Sequence, residues 1–183
     1  RNPEAPAALT RLRESWWKDP AILGRLRAEM QLKTPTAVAT SAGLYQEILQ
    51  PCLDRLGTYA TPQAASELMA WIDEKWLSGS CFSSLREMGA KGVEALSGVE
   101  GDNAKAAFLR GWIRFVALHD PAASREDFEA ALRGGYAEGR CHLVLGWIDL
   151  TLREDPDAAR AHFLEARRLG GGWVDSEATS WLG

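Results

Sequence analysis

What this 183-residue chain lacks excludes most of the common chemistries. It has three cysteines, Cys52, Cys81 and Cys141, so at least one thiol stays free. An odd count leans toward a reducing compartment and slightly favours the cytoplasm; one disulfide beside one buried thiol in a periplasm gives the same count. It has three histidines, His119, His142 and His162. His142 and His162 fall on the two helices of one predicted hairpin, within approach of one another. Zinc wants closer paired ligands than Cys141, His142 and His162 provide, and Cys141 reads as a small buried filler. No G-x-S-x-G, no H-E-x-x-H and no Gly-Lys-Ser/Thr phosphate loop is present. No metal or other cofactor is implied. No run of about 18 apolar residues occurs, so no transmembrane segment is expected. There is no excess of positive charge either. The net charge is −4, which argues against a nucleic-acid partner. Arg11, Arg13, Arg25 and Arg27 are the one basic cluster and read as a solvated helix face. The chain opens on Arg1 rather than Met, so removal of an upstream segment is expected. The absence of a signal peptide therefore excludes no compartment.

What the chain does have is a sentence written twice. A gapless shift of 35 residues superposes Gly111-Trp112-Ile113 on Gly146-Trp147-Ile148 and Asp120-Pro121 on Asp155-Pro156. It also pairs Ala123 with Ala158, Arg125 with Arg160, Phe128 with Phe163, Ala131 with Ala166, Arg133 with Arg168 and Gly135 with Gly170. That is 11 identities over the 25 positions from Gly111 to Gly135. A period of this size marks a repeat architecture. Each copy reads as two helices. The first, helix A, spans about residues 103–118 in copy one, capped by Asp102 or Asn103. Asp-Pro then stops one helix and opens the next, because Asp caps and Pro at the first helical position loses no needed hydrogen bond. Helix B ends at Gly134-Gly135 or at Gly170-Gly171-Gly172, read as helix stops and not phosphate cradles. Gly111 and Gly146 lie inside helices, where glycine costs about 1 kcal/mol against alanine. They imply close helix packing, with Ala131 and Ala166 as the expected partners.

This pattern resembles the tetratricopeptide and Sel-like helical repeats. Leu145-Gly146, Asp155, Ala158-Ala159, Phe163, Ala166 and Gly170 carry the likeness over about residues 103–183. The loop between helices is shorter than in Sel-like units, and copy one has Arg110-Gly111 where Leu-Gly is expected. The resemblance implies an all-α fold of antiparallel helical hairpins, stacked as a short right-handed α-solenoid. It also implies a concave groove that binds a protein or peptide.

Three regions are expected. Residues 1–40 form a helical hairpin and linker, punctuated by Asp19-Pro20. Residues 41–102 hold degenerate helical units. These comprise a helix to Leu56 broken near Leu49 or Gln50 by Pro51 and closed by Gly57, and a helix over 62–77 opened by Thr61-Pro62. A break at Ser78-Gly79-Ser80 and a helix over 83–96 weakened by Gly89 and Gly92 follow. Ala70-Trp71-Ile72-Asp73 echoes Gly146-Trp147-Ile148-Asp149. Residues 103–183 hold the two clear repeats and a lone C-terminal helix. That helix carries Trp173 and Trp181, read first as a cap over the last repeat. If those tryptophans stay exposed, they are instead a surface for homodimerisation.

The chain has eight tryptophans. Trp112 and Trp147 recur with the repeat and are expected in the core. Trp17, Trp76 and Tyr136 are the candidate partner-binding aromatics, because large outward aromatics contribute most at interfaces. Arg114, Arg125 and Arg160 are candidates for its polar rim. The adjacent acids Glu126-Asp127 and Glu154-Asp155 lie near helix N-termini and read as helix design. The function expected is a non-enzymatic protein-interaction module, a bacterial adaptor or scaffold. One alternative is an immunity or regulatory protein that neutralises a single target. The other is a ligand-binding or enzymatic domain with a cleft near Cys141 and His142.

Overall fold

The computed structural model describes residues 50–73, 78–99, 101 and 103–183. The expected N-terminal hairpin and linker, Trp17 and Trp76 lie outside them. The chain divides into two compact units, Arg1–Leu56 and Gly57–Gly183. Among the described residues there are nine α-helices and no strand. They are α1 (Gln50–Tyr59), α2 (Pro62–Trp71), α3 (Ser78–Met88), α4 (Ala90–Ser97) and α5 (Asn103–Val116). Then come α6 (Pro121–Arg133), α7 (Glu138–Leu152), α8 (Pro156–Gly170) and α9 (Gly172–Leu182). In the second unit α5 packs most extensively on α6 and α7 on α8, while α2 packs on α4 as well as on α3.

One turn is used three times. Thr61, Asp120 and Asp155 each cap a helix, accepting from the backbone N–H of Ala64 at 3.2 Å, Ala123 at 3.0 Å and Ala158 at 3.0 Å. Proline follows each cap at the first helical position. The residue before each cap, Ala60, His119 or Glu154, is left-handed, with φ of 45°, 51° and 50°. Proline bars its predecessor from the α region. The chain therefore reverses one residue earlier, at a position where L-residues are strained.

The two hairpins share a core plan. Phe128 and Ala131 of α6, and Phe163 and Ala166 of α8, are buried at equivalent places. So are Ile113 and Ile148. Leu143, Phe163, Ala166, Val174 and Ala178 tie α7, α8 and α9 into one apolar cluster. The helical glycines face different partners from those expected. A Cβ on Gly111 would meet Asp127 Cβ at 3.0 Å and the Ser124 carbonyl at 3.3 Å; one on Gly146 would meet the Phe163 ring at 2.7 Å. Phe163 takes the space at Gly146, and Ser124 and Asp127 take it at Gly111, while Ala131 and Ala166 are buried in the core.

Four further expectations are corrected. Gly57 does not close α1. It sits within it, because a side chain there would strike the Ser84 carbonyl, 2.9 Å from its Cβ position. Ser78-Gly79-Ser80 does not break the chain but forms the first turn of α3. The single helix expected over 83–96 is two, divided at Gly89, whose φ of 55° ends α3. Trp147 is not core; it is 36% exposed. Its ring lies edge-on to Trp181 at 5.4 Å and Phe115 at 6.3 Å, a line of aromatics along the surface.

Glycine replacements separate packing from helix propensity. Gly146→Ala is expected to lower the unfolding free energy by about 1–2 kcal/mol, because overpacking against Phe163 outweighs the gain in propensity. Gly79→Ala, with nothing within 4 Å of its Cβ position, is expected to raise it by about 0.5–1 kcal/mol. Urea denaturation of the two variants measures both signs.

Candidate functional site

The repeat shift also organises the polar residues. It places Arg114 of α5 on Asp149 of α7, and Asp127 of α6 on His162 of α8. In the first hairpin Arg114 Nη1 donates to Asp127 Oδ2 at 2.6 Å, and Arg110 Nε donates to Oδ1 at 2.7 Å. In the second, His162 Nε2 lies 3.5 Å from Asp149 Oδ2. The same two positions thus make the same helix-to-helix contact with the acid moved to the other helix. Asp127 and Asp149 are both buried, Asp149 completely. Asp127 is therefore no dipole-compensating surface acid, as its place near a helix start suggested.

Asp149 also joins the hairpins. Arg125 of α6 donates from Nη1 to Asp149 Oδ1 at 2.5 Å, while its Nε donates to Glu129 Oε1 at 2.8 Å. Arg153, one turn on in α7, reaches Oδ1 from outside at 3.1 Å. Oδ2 has no hydrogen bond. The candidate rim residues Arg114 and Arg125 are thus committed to internal acids. Arg160 is exposed on α8.

On another face, three alternate helices each contribute an i,i+4 pair to one cleft, since such residues share a helix face. Ser78 and Phe82 come from α3, Phe108 and Trp112 from α5, and Arg140 and Val144 from α7. Trp173 of α9 closes the far side. The apolar part encloses about 220 Å³. Phe82 packs against Trp112 with ring centres 5.5 Å apart. Trp112 is thus a half-buried cleft wall and not deep core. Through Ser78, Arg140 and Trp173 the space runs into a wider cavity of about 680 Å³, lined by Asp73, Tyr136, Glu138 and the glycines at 135, 139 and 170–172. Gly139 is required there: its Cβ would lie 2.5 Å from the Gly170 Cα. α7 and α9 begin at this cavity without a side-chain cap.

The cations of the cleft repeat too. The shift places Lys105 on Arg140. Each lies over an aromatic that follows a glycine turn, Lys105 over Tyr136 at 5.8 Å and Arg140 over Trp173 at 6.0 Å. Their electrostatics differ. Lys105 is buried and paired with Asp73, whose other oxygen accepts from Tyr136 Oη at 2.8 Å. Burial raises the Asp73 carboxyl, but the bonds from Lys105 and Tyr136 outweigh it and hold the group below its usual value. Tyr136, expected to face a partner, is engaged in this internal cluster. Arg140 is exposed and acts on Asp73 only through its charge, without the close ion pair that Lys105 makes.

Cys141 is buried, and burial pushes its thiol up to about 12. Cys81 is likewise buried and raised to about 12. Among the described residues no group of three or more His, Cys, Asp or Glu is arranged to hold a metal ion, and no helix is long and apolar enough to cross a membrane. No protein family, curated protein or solved structure gives a significant match to this chain.

The sequence marked Asp73 and Asp149 only as parts of a repeated tetrapeptide and gave no site role to them, to Lys105 or to Arg140. The signal for Asp149 was the pairing of Arg114 with Asp149 and of Asp127 with His162 under the repeat shift, a double exchange of charge that two contacting positions would produce.

Removing Arg125 leaves a buried carboxylate with the exposed Arg153 as its permanent cation and His162 Nε2 at 3.5 Å. Arg125→Met is expected to cost about 3 kcal/mol, and the double replacement Arg125→Met/Asp149→Leu to recover at least about 1 kcal/mol of that. Chemical denaturation around this double-mutant cycle measures the coupling.

Proposed function

We propose that this chain is a non-enzymatic protein-interaction module. In this reading its hairpins are tetratricopeptide/Sel-like units stacked as a right-handed α-solenoid. Its cleft holds a peptide segment that presents an apolar side chain next to a carboxylate. The observation that carries the reading is the convergence of i,i+4 pairs from α3, α5 and α7 on one apolar cleft with an open cation at its rim. Phe82, Trp112 and Val144 offer the apolar seat. Arg140, stacked on Trp173, offers the positive charge. Lys105 is ion-paired with Asp73, whereas Arg140 in the next copy feels that carboxylate only at longer range and keeps its hydrogen-bond donors for a ligand.

The enzymatic alternative rested on Cys141 and His142. A buried thiol raised to about 12 is a poor nucleophile near neutrality, and neither residue lines the cleft. The pairing surface at the C-terminus is partly used within the chain. Trp181 stacks on Phe163 with ring centres 6.1 Å apart and donates to Glu177, as a cap would.

The test is selection from a random peptide library on the intact chain, with the selected peptides titrated against wild type and Arg140→Glu/Trp173→Ala. Both side chains are exposed, so the thermal midpoint should hold. Affinity is expected to fall at least about 30-fold, the scale of a hot spot lost. Peptides that bind the double variant as well as wild type, or no selection at all, would sink the reading.

A further inference from the structure

His142 of α7 and His162 of α8 meet between helices that carry no such pair in the preceding hairpin. Their Nδ1 atoms are 2.8 Å apart and their ring centres 5.1 Å apart. That span equals the nitrogen separation with about one ring radius at each end, so the rings point at each other head-on. Two nitrogens aimed along one line share a proton. A metal ion would need lone pairs that converge at an angle.

The network assigns the protons. Asp149 Oδ2 is buried without a hydrogen bond, and His162 Nε2 lies 3.5 Å from it. A proton on His162 Nε2 would face that carboxylate, which favours this tautomer. The His162 Nδ1 is then bare and accepts from His142 Nδ1–H. His142 Nε2 is left bare at the outer end.

One proton fits this arrangement. Taken up at His142 Nε2, it leaves the N–H···N bond intact. A second proton has to bind His162 Nδ1. It removes the acceptor and sets two N–H groups and two like charges face to face at 2.8 Å. We propose that Asp149, His162 and His142 form an acid-triggered latch between α7 and α8, and that the second proton taken up by the histidine pair opens the hairpin they close.

The surroundings set the direction. Burial is the largest influence on each ring and opposes charge. At His142, Glu165 and Glu138 favour the cation and Arg168 opposes it. At His162, the His142 ring and Arg125 oppose charge, while Asp149 and Glu129 favour it. On α9, the third helix of the cluster, Asp175 and Glu177 are exposed, and Glu177 is taken up by Trp181. The balance lowers both histidines below the unfolded value of 6.5. The unfolded hairpin thus binds more protons as pH falls below that value. The stability of the neutral pair is complete above it and is lost toward the lowered folded values.

The first hairpin is the internal control. At the positions of His142, Asp149 and His162 it has Ala107, Arg114 and Asp127, with no histidine. Opening of the second hairpin also displaces Arg140, Val144 and Trp173 from the cleft, since they ride on α7 and α9.

Two measurements on the full chain test the latch. Nitrogen-15 NMR of the rings at about pH 8 should find His142 protonated on Nδ1 and His162 on Nε2; both rings protonated on Nε2 would overturn it. Amide hydrogen exchange, corrected for its chemical rate, should show opening of residues 138–182 rising as pH falls from about 7.5 to 5, by up to about tenfold per pH unit for each proton taken up. Residues 103–133 should stay flat. His142→Ala, which installs the residue of the first hairpin, should lower the slope of that rise by about one proton, leaving the part due to the burial of His162. His142→Gln does the same while keeping an N–H donor for His162, should the alanine variant be too unstable to compare. Equal pH dependence in the two hairpins, or an undiminished acid step in the glutamine variant, would overturn the proposal.

Discussion

Asp149 has no contact with water, and three helices answer to it. It grows from α7, is held by Arg125 of α6 and faces His162 of α8. A carboxylate in that position is costly unless compensated, and most of its compensation comes from a neighbouring hairpin. The apolar contacts among α6, α7 and α8 would tolerate small slips. The charge tolerates few, because a shift of one residue along either helix carries its partner away. The stacking of one hairpin on the next is therefore specified by an ion pair laid over a hydrophobic core.

The cleft depends on that specification. Its walls are i,i+4 pairs on helices from different hairpins, so their convergence is a property of the stack. Gly139 against Gly170 and Gly146 against Phe163 set how closely α7 and α8 approach. That spacing places Arg140 over Trp173 and brings His142 to His162. The histidine pair and the cleft thus occupy two faces of one helix and answer to the same packing.

Much of the local structure was legible in the sequence. Thr-Pro and Asp-Pro announced three helix starts, the paired glycines announced helix ends, and the repeat period exposed the buried Phe128 and Phe163. What escaped was nonlocal. Gly57 looks like a helix stop in a linear reading and is a contact in space. Trp147 looks like core because Trp112 recurs there, yet it comes to the surface beside Trp181. Arg114 and Arg125 look like surface charge because nothing near them in sequence is a fixed partner; their acids lie 13 and 24 residues away. Tyr136 finds Asp73 across 63 residues. Periodicity reports which face a residue occupies, but it carries no record of what stands opposite.

The three Asp-Pro and Thr-Pro turns explain why the copies agree where they do. Everything such a turn needs lies within four or five consecutive residues: a left-handed residue, a cap, a proline and a free N–H. It survives duplication intact, because a copied segment carries all its own requirements. The side chain before the cap is under no such demand, and it has diverged to Ala60, His119 and Glu154. The ion pairs differ in kind, because each needs a residue supplied by another helix, and the acid stands on helix B in one hairpin and on helix A in the other. The turns are therefore the parts that a copied segment carries complete, whereas a charge pair such as Arg125 with Asp149 exists only once two copies stand side by side.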